Sequence, residues 1–384
     1  MSKKNKSLFG RISNWLHLWL GLFSGIVVFV VCLTAAIWVF RDEMTDAFTP
    51  GQNILEQQME FLKPSKLTEA GRAYIDSIQQ NHSAVIYKLE YRTRDKSSII
   101  GYFSEKEGAY QELFINPYSA SVLYNRTTET GIASFNNFLR SGHRFFWLPR
   151  PFGSYFVGSC CIIFLITLIT GLIWWYPSKW NKSTFNKSFK IKWGAKWKRV
   201  NIDLHNVLGF YTFIFIIILA VTGIVFTFKW FDNGYHWLIT GGSPKVEHQK
   251  KSLSDTTIVQ SRYLHPEDEL WKLFKSKGQI RIMYPQNLKD VYTVYIHPTT
   301  GHNDLTKWYA FDQKTLRKLG EMDSSKLSFG TKVYKANFDI HVGTIGGMTT
   351  KIIAALASLV GASLPITGFI IWYNRKWSKK TKKL

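Results

Sequence analysis

Four long apolar segments, at about 12–40, 152–176, 203–228 and 350–373, set the strongest limit on what this 384-residue chain can fold into. About 20 mostly apolar residues span a bilayer, and only helices or closed barrels satisfy their own backbone there. The sequence therefore predicts four transmembrane helices. The first is too long for the apolar part of a signal peptide, and Arg41-Asp42-Glu43 stands where a small-residue cleavage site would fall. It reads as an anchor. Two polar stretches, 41–142 and 229–340, separate the spans, and each is long enough for a small domain.

The net charge of +23 has an uneven origin. Residues 1–11 carry four Lys or Arg, the connector 177–202 carries eight and the tail 374–384 carries six, and none of the three contains an acid. Four crossings put all three on one side. The preference of Lys and Arg for the cytoplasm makes that side, with both termini, the inside. The polar domains then face outward, and the charge reflects topology rather than nucleic-acid binding. Cys32, Cys160 and Cys161 all fall in spans, so no disulfide framework is expected and they read as small buried apolar residues.

The chain repeats itself. LHLWLGLFSGIVVFVVCLTAAIWVF aligns with LHNVLGFYTFIFIIILAVTGIVFTF, and TGLIWWYPSKW at 170–180 aligns with TGFIIWYNRKW at 367–377. Each half is span, polar domain, span, in one orientation. Parallel repeats of this kind build a bundle around an axis along the membrane normal. The polar domains read as small α+β modules. Strand-like runs occur at 84–92, 110–115, 279–284 and 291–297, and helical stretches at about 67–80 and 266–276. Asn116-Pro117-Tyr118 and Pro298-Thr299-Thr300-Gly301 are turn signals. No phosphate loop, dinucleotide glycine pattern or zinc helix is present.

Four of the ten histidines take repeat-related places. His17 and His205 open spans one and three; His143 and His341 precede Gly171 and Gly368 by 28 and 27 residues. An ionisable group in a membrane is costly and marks function, and imidazole ligates haem iron in b-type centres. One histidine from each half at each face suits two bis-histidine haems at two levels. The competing reading is structural or a proton relay, because an interfacial histidine can snorkel or bond a neighbouring helix. His82, His236, His248, His265, His297 and His302 read as ordinary surface or domain residues, with His297 and His302 flanking a turn within reach of a substrate.

His143 lies nine residues ahead of its apolar run and His341 ten. A continuous helix would leave them roughly 15 Å beyond the hydrocarbon edge. The alternatives are helices that extend outward, or kinks, as at Pro149 and Pro151, that fold the segment back. Arg140, Arg144 and Arg150 surround His143, while Arg11 precedes His17 and Lys198-Arg199 precede His205. Such groups pair with haem propionates or attract an anionic substrate. Trp15, Trp174, Trp175, Trp372 and Tyr373 read as interface anchors. Gly21, Gly25, Gly209 and Gly223 let helices, or a flat macrocycle, approach closely.

WLHLWLGLFSG at 15–25, HRFFW at 143–147, DLHNVLGF at 203–210, HVGTIGG at 341–347 and TGFIIWYNRK at 367–376 carry a resemblance to the PepSY-associated transmembrane family. It covers nearly the whole chain. INPYSASVLY at 115–124 is similar to the strand–turn–strand end of a PepSY module. The resemblance implies a bacterial inner-membrane protein with a four-helix bundle and two small α+β PepSY-like periplasmic domains. Relatives include ferric-siderophore reductases. By that likeness His17, His143, His205 and His341 would ligate two haem b groups, with Arg144 beside the outer one. The arginine that commonly follows the first and third histidines is replaced by Leu18 and Asn206, while Arg144 retains it.

The implied electron path runs from a quinol or soluble cytoplasmic donor, through the His17/His205 level, to the His143/His341 level. There a periplasmic Fe(III)-siderophore would be reduced, and Fe(II) released from its hard oxygen donors. The competing class is a non-enzymatic PepSY-domain membrane protein that binds a peptide, a peptidase or a cell-envelope partner through a strand edge. Transport is disfavoured, because the spans lack internal acids and broken helices suited to ion coupling.

Overall fold

The computed structural model describes residues 8–80, 82–127, 131–177, 179–245, 253–258, 260–297 and 306–377. The first half forms α1 (Leu8–Trp38), α2 (Arg41–Phe48), α3 (Pro64–Gln79), β1 (Ala84–Tyr91), β2 (Ser98–Ser104), β3 (Ala109–Ile115), β4 (Val122–Thr127), α4 (Gly131–Phe145) and α5 (Phe152–Trp175). After α6 (Lys182–Phe189) the second half follows a related order. It has α7 (Trp197–Asp203), a π-helical turn at Leu204–Leu208, α8 (Gly209–Val225), α9 (Lys229–Thr240) and α10 (Pro266–Phe274). The strands β5 (Gln279–Met283), β6 (Val291–His297), β7 (Lys307–Asp312) and β8 (Lys318–Asp323) come next, then α11 (Phe329–Lys335), α12 (Asn337–His341) and α13 (Gly347–Trp377).

Two compact units result. One gathers the chain up to Arg41, residues 136–237, and everything from Asn337 onward. Four helices in it, Leu8–Trp38, Phe152–Trp175, Trp197–Val225 and Thr344–Trp377, are long and apolar enough to cross a membrane. All four expected spans are therefore helices, each at least as long as its apolar run suggested except at a terminal residue or three. α1 packs on α5 and α13, and α8 packs on the same two. Small residues set these contacts: a Cβ on Gly25 would stand 3.3 Å from Pro365, and one on Gly209 would stand 3.4 Å from Leu364. Without a hydrophobic drive between helices in lipid, such close approach is what holds a bundle together.

The segments carrying His143 and His341 fold back. Phe146 and Trp147 are both left-handed, at φ 53° and 57°, and turn the chain between α4 and α5. That conformation costs energy for a side-chain-bearing residue. Packing offsets it here: Trp147 lies against Gly142, where a Cβ would come within 2.3 Å of the indole, and its Nε1 donates to the Phe138 carbonyl at 2.9 Å. In the second half, Gly343 and Gly347, at φ 73° and 65°, make the corresponding reversal between α12 and α13. The kink lies at Phe146–Trp147, ahead of the prolines, so the outward-extending alternative does not apply.

The other unit, residues 42–135 and 238–336, is built on one antiparallel sheet in the order β4-β3-β2-β1-β5-β6-β7-β8. Each polar stretch supplies four strands, and the two sets meet edge to edge where β1 pairs with β5, Leu89 opposite Ile282. The expectation of two small modules thus becomes a single sheet with one core. Leu67, Ile75, Leu89, Ile100 and Leu113 from the first half bury with Leu270, Ile280, Ile282, Val294 and Ile296 from the second. Joining the sheets gives the two four-stranded halves one shared core. Polar contacts cross the same seam. Arg281 pairs with Glu90 at 2.9 Å, and Asp268 accepts from Ser65 Oγ at 2.7 Å.

Expected strands at 84–92, 110–115, 279–284 and 291–297 appear within a residue or so as β1, β3, β5 and β6; β2, β4, β7 and β8 are additions. Asn116 Oδ1 accepts from Tyr118 N at 2.9 Å, forming the expected turn between β3 and β4. The second turn signal, 298–301, lies outside the described residues. Glu112 on β3 sits between Lys88, at 2.7 Å, and Arg126. Burial pushes its carboxyl up, but Lys88 and Arg126 outweigh that and hold it at about 2.

Candidate functional site

The bundle brings the four repeat-related histidines together in two pairs. His17 on α1 and His205 in the π-helical turn have ring centroids 6.2 Å apart, with planes at 77°. His143 on α4 and His341 at the end of α12 have centroids 5.9 Å apart, with planes at 46°. A π-helical turn is itself common at functional sites. Metal–imidazole bonds run about 2.0 Å and a ring centroid lies roughly 1.1 Å behind its nitrogen, so two rings sharing one metal ion have centroids about 6 Å apart. The two levels are separated by fourteen residues of α1, from His17 to the Val31 carbonyl that His143 contacts, or about 21 Å.

One local device orients all four rings. His17 Nδ1 lies 3.0 Å from the Thr167 carbonyl, His143 Nδ1 2.9 Å from that of Val31, and His341 Nδ1 3.0 Å from that of Leu219. His205 Nδ1 lies 2.9 Å from Thr367 Oγ1, which accepts from it and itself stands 3.1 Å from the Leu364 carbonyl. A carbonyl only accepts, so each Nδ1 donates and each Nε2 keeps its lone pair, the tautomer a metal ligand requires. Three residues beyond every one of these carbonyls stands a threonine. Thr170, Thr34, Thr222 and Thr367 place Oγ1 at 3.0, 3.1, 3.1 and 3.1 Å from the same oxygens.

One residue further on stands a small residue: Gly171, Ala35, Gly223 or Gly368. A Cβ on Gly171 would stand 2.9 Å from the His17 ring, on Gly223 2.9 Å from His341, and on Gly368 3.3 Å from His205. The shared Thr-Gly landmark of the repeat is therefore where a ring is seated. Every bond to a carbonyl stays within its own half, whereas each histidine pair joins the two halves.

A cavity flanks each pair. The His17–His205 cavity encloses about 310 Å³ and is lined by Gly21, Gly25, Gly209, Trp174, Trp175, Trp372, Asn14 and Arg375 among others. The His143–His341 cavity encloses about 250 Å³ between Arg140, Arg144, Gly158, Gly223, Cys32 and Cys161. The first volume sits at the small end of ligand cavities, roughly 300–1,000 Å³, and the second just below it. Among the described residues no Asp or Glu lines either one, so both carry a positive field suited to anionic groups. Phe164 lines both. Asn14 Oδ1 is buried at the first cavity with no hydrogen-bond partner.

Of the expected cations, Arg144 and Arg140 reach the second cavity, while Arg150 stacks over Phe145 at 4.2 Å instead. At the first cavity Arg199 is taken by Asp203, at 2.7 Å, and the lining cation is Arg375, 5.5 Å from the Trp174 ring. Trp174, Trp175 and Trp372, read from sequence as interface anchors, are cavity walls; Trp15 and Tyr373 are exposed, as anchors are. Sequence reasoning missed Arg375, the four carbonyls and their threonines. The repeated Thr-Gly was their only trace. Among the remaining histidines, His236 is buried, His265 stands 3.6 Å from Glu267, and His297 Nδ1 meets Thr306 Oγ1 at 2.9 Å. His248 and His302 lie outside the described residues. Among the described residues no three His, Cys, Asp or Glu converge as a protein-closed metal site.

Four apolar spans together with an eight-stranded antiparallel sheet and its short helices define a multi-pass membrane protein with an extramembrane α+β region. The family described as PepSY-associated TM region matches residues 14–375, and the chain belongs to it. No curated protein matches the sequence.

Proposed function

We propose that the chain is a transmembrane electron carrier with haem b at each histidine pair, delivering electrons to an Fe(III)-siderophore held by the extramembrane region. The observation that supports this most is the two imidazole pairs with ring centroids about 6 Å apart, each ring tied through Nδ1 with Nε2 left as donor. Two imidazoles without a third protein ligand leave a metal's remaining positions to a planar non-protein ligand, which is the donor set of a bis-histidine haem. The flanking glycines leave room beside the rings, and Arg375, Arg140 and Arg144 suit propionate carboxylates. Bound haem would supply a one-electron Fe(III)/Fe(II) couple at each level.

The protein's own part follows from its residues. The four histidines would hold the metal through Nε2, and the apolar helix walls would limit water around it. Arg140 and Arg144 raise the local concentration of an anionic chelate at the second level. Eighteen basic and no acidic residues in 1–11, 177–202 and 374–384 support a cytoplasmic side for those segments and a periplasmic side for the sheet. Reduction of the ferric chelate releases Fe(II), a weaker guest of hard oxygen donors.

Pyridine haemochrome quantitation of the purified chain is the test, with His17→Ala, His205→Ala, His143→Ala and His341→Ala beside it. Two haems are expected, and each variant should lose the one at its own level. Reduced protein in proteoliposomes should then reoxidise when a ferric hydroxamate is added on the side of the sheet. A colourless chain purified from haem-replete cells would overturn the proposal in favour of a binding module. Haem retained in all four variants would overturn the ligand assignment.

A further inference from the structure

The threonine that follows each histidine's carbonyl partner is explained neither by span formation nor by metal ligation. A lone threonine in a membrane helix bonds back to its own helix as a matter of course. All four do so here, reaching the carbonyl four residues back at 2.7–2.9 Å. The recurrence lies in the other oxygen each hydroxyl touches. At Thr167, Val31 and Leu219 it is the carbonyl that receives a histidine Nδ1 from a different helix. That oxygen also lies within reach of the helix's own N–H four residues on. A carbonyl has two lone pairs, so three donors compete for two acceptor sites. In the second half the hydroxyl also meets the ring directly and, with its own proton given to the carbonyl four residues back, accepts from Nδ1: Thr367 Oγ1 lies 2.9 Å from His205 Nδ1 and Thr222 Oγ1 3.0 Å from His341 Nδ1.

We propose that the four threonines are positioning residues that set histidine ligand strength in opposite ways in the two halves: Thr170 and Thr34 compete for the carbonyl that His17 or His143 donates to, whereas Thr367 and Thr222 themselves accept from Nδ1 of His205 and His341 and so strengthen its hydrogen bonding. A strong Nδ1–H···O bond shifts negative charge onto the imidazole and makes Nε2 a better donor to an oxidised metal. A threonine that occupies part of the same oxygen weakens that bond and moderates the donor. The inference rests on the haem reading for its effect on potential, but the hydrogen-bond competition exists in the metal-free chain. Thr34 and Thr222 act at the His143–His341 level, and Thr170 and Thr367 at the His17–His205 level.

The experiment uses the full chain with Thr→Val and Thr→Ser at each position. In haem-free protein with ¹⁵N-labelled histidine, NMR should show Nδ1–H tautomers for all four rings. The valine variants of Thr34 and Thr170 should move their ring's Nδ1–H resonance downfield, those of Thr222 and Thr367 should move it upfield, and each serine variant should leave it in place. In haem-loaded protein, spectroelectrochemical titration resolves two midpoints. Valine at Thr34 or Thr170 should shift the reduction equilibrium of its own level three- to tenfold toward Fe(III), and valine at Thr222 or Thr367 by a like factor toward Fe(II), about 28–59 mV at 59 mV per tenfold for one electron. Serine should restore the wild-type value. Nε2–H tautomers, or valine variants unchanged in both measurements, overturn the proposal. Wild-type protein that takes up no haem but shows the predicted NMR shifts overturns the haem reading while the competition stands.

Discussion

Replacing Gly171 by alanine adds one methyl group at the tightest point of the His17 seat. The new Cβ would stand 2.9 Å from the ring's Cε1, inside the distance side chains tolerate. The ring cannot swing aside freely, because its Nδ1 is tied at 3.0 Å to Thr167 on the same helix. It must lengthen that bond or leave it. Loss of the bond costs about 0.5–1.5 kcal/mol, and overpacking a filled site about 1–3 kcal/mol. A combined loss near 2 kcal/mol corresponds to roughly thirtyfold weaker cofactor retention. The helix itself gains, since alanine in a helix interior is favoured over glycine by about 0.5–1 kcal/mol. G171A should therefore hold the first-level haem less tightly, whereas in the haem-free form, where the ring can leave its seat, the lost hydrogen bond and the helix gain nearly cancel and the melt stays close to wild type. G368A, with 3.3 Å to His205, should show the same effect at threefold or less, and G194A, with nothing within 4 Å, should show none. Haem transfer to apomyoglobin measures retention, and thermal melts of apo protein measure the helix. Wild-type retention in G171A, or a larger loss in G368A, would refute the reasoning.

Glu112 gives a pH-dependent signature in the sheet. Its carboxyl is held at about 2 against an ordinary 4.5, so its stabilising effect is full above about pH 4.5 and disappears as pH falls toward 2. The shift corresponds to about 3 kcal/mol at neutral pH. E112Q should lose most of that at pH 7 and flatten the stability profile between pH 4.5 and 2, as followed by tryptophan fluorescence in urea; an unchanged profile would show that Lys88 and Arg126 do not hold this carboxylate. Single cysteines in the 177–202 connector should resist a membrane-impermeant maleimide in intact cells, and those on β4 should react. The reverse pattern would invert the topology.

The bundle was legible because its signals are local and strong. Apolar runs gave the spans, and Leu-His-x-x-Leu-Gly with Thr-Gly gave the repeat. The repeat picked four histidines out of ten, and the fold brings those four into two pairs. What stayed hidden depends on contacts between distant residues. Pairing of Leu89 with Ile282 joins strands nearly two hundred residues apart, and no periodicity within either half announces it. The backward turn at Phe146–Trp147 uses left-handed residues that are not glycine, held by packing on Gly142, so it lacks the usual sequence mark. Carbonyl oxygens have no identity in a sequence at all. Arg375 read as one more cytoplasmic positive charge, and only its place in the tertiary fold distinguishes it from Lys376.

Each half bonds its own histidines to its own helices, and only the pairing of rings needs both halves. Preparing a ligand and completing a site are thus separate tasks in this architecture, assigned to different levels of assembly. A polypeptide ending near the 177–202 connector would already present two oriented imidazoles, one at each level, with their tautomers fixed. Two such pieces, meeting about a twofold axis, would complete both pairs and zip their four-stranded sheets together along β1. The covalent link between the halves then does little for coordination itself. Its contribution is to let the two sides diverge, so that Arg144 on one half and Arg375 on the other each face a cavity where no symmetry copy is required.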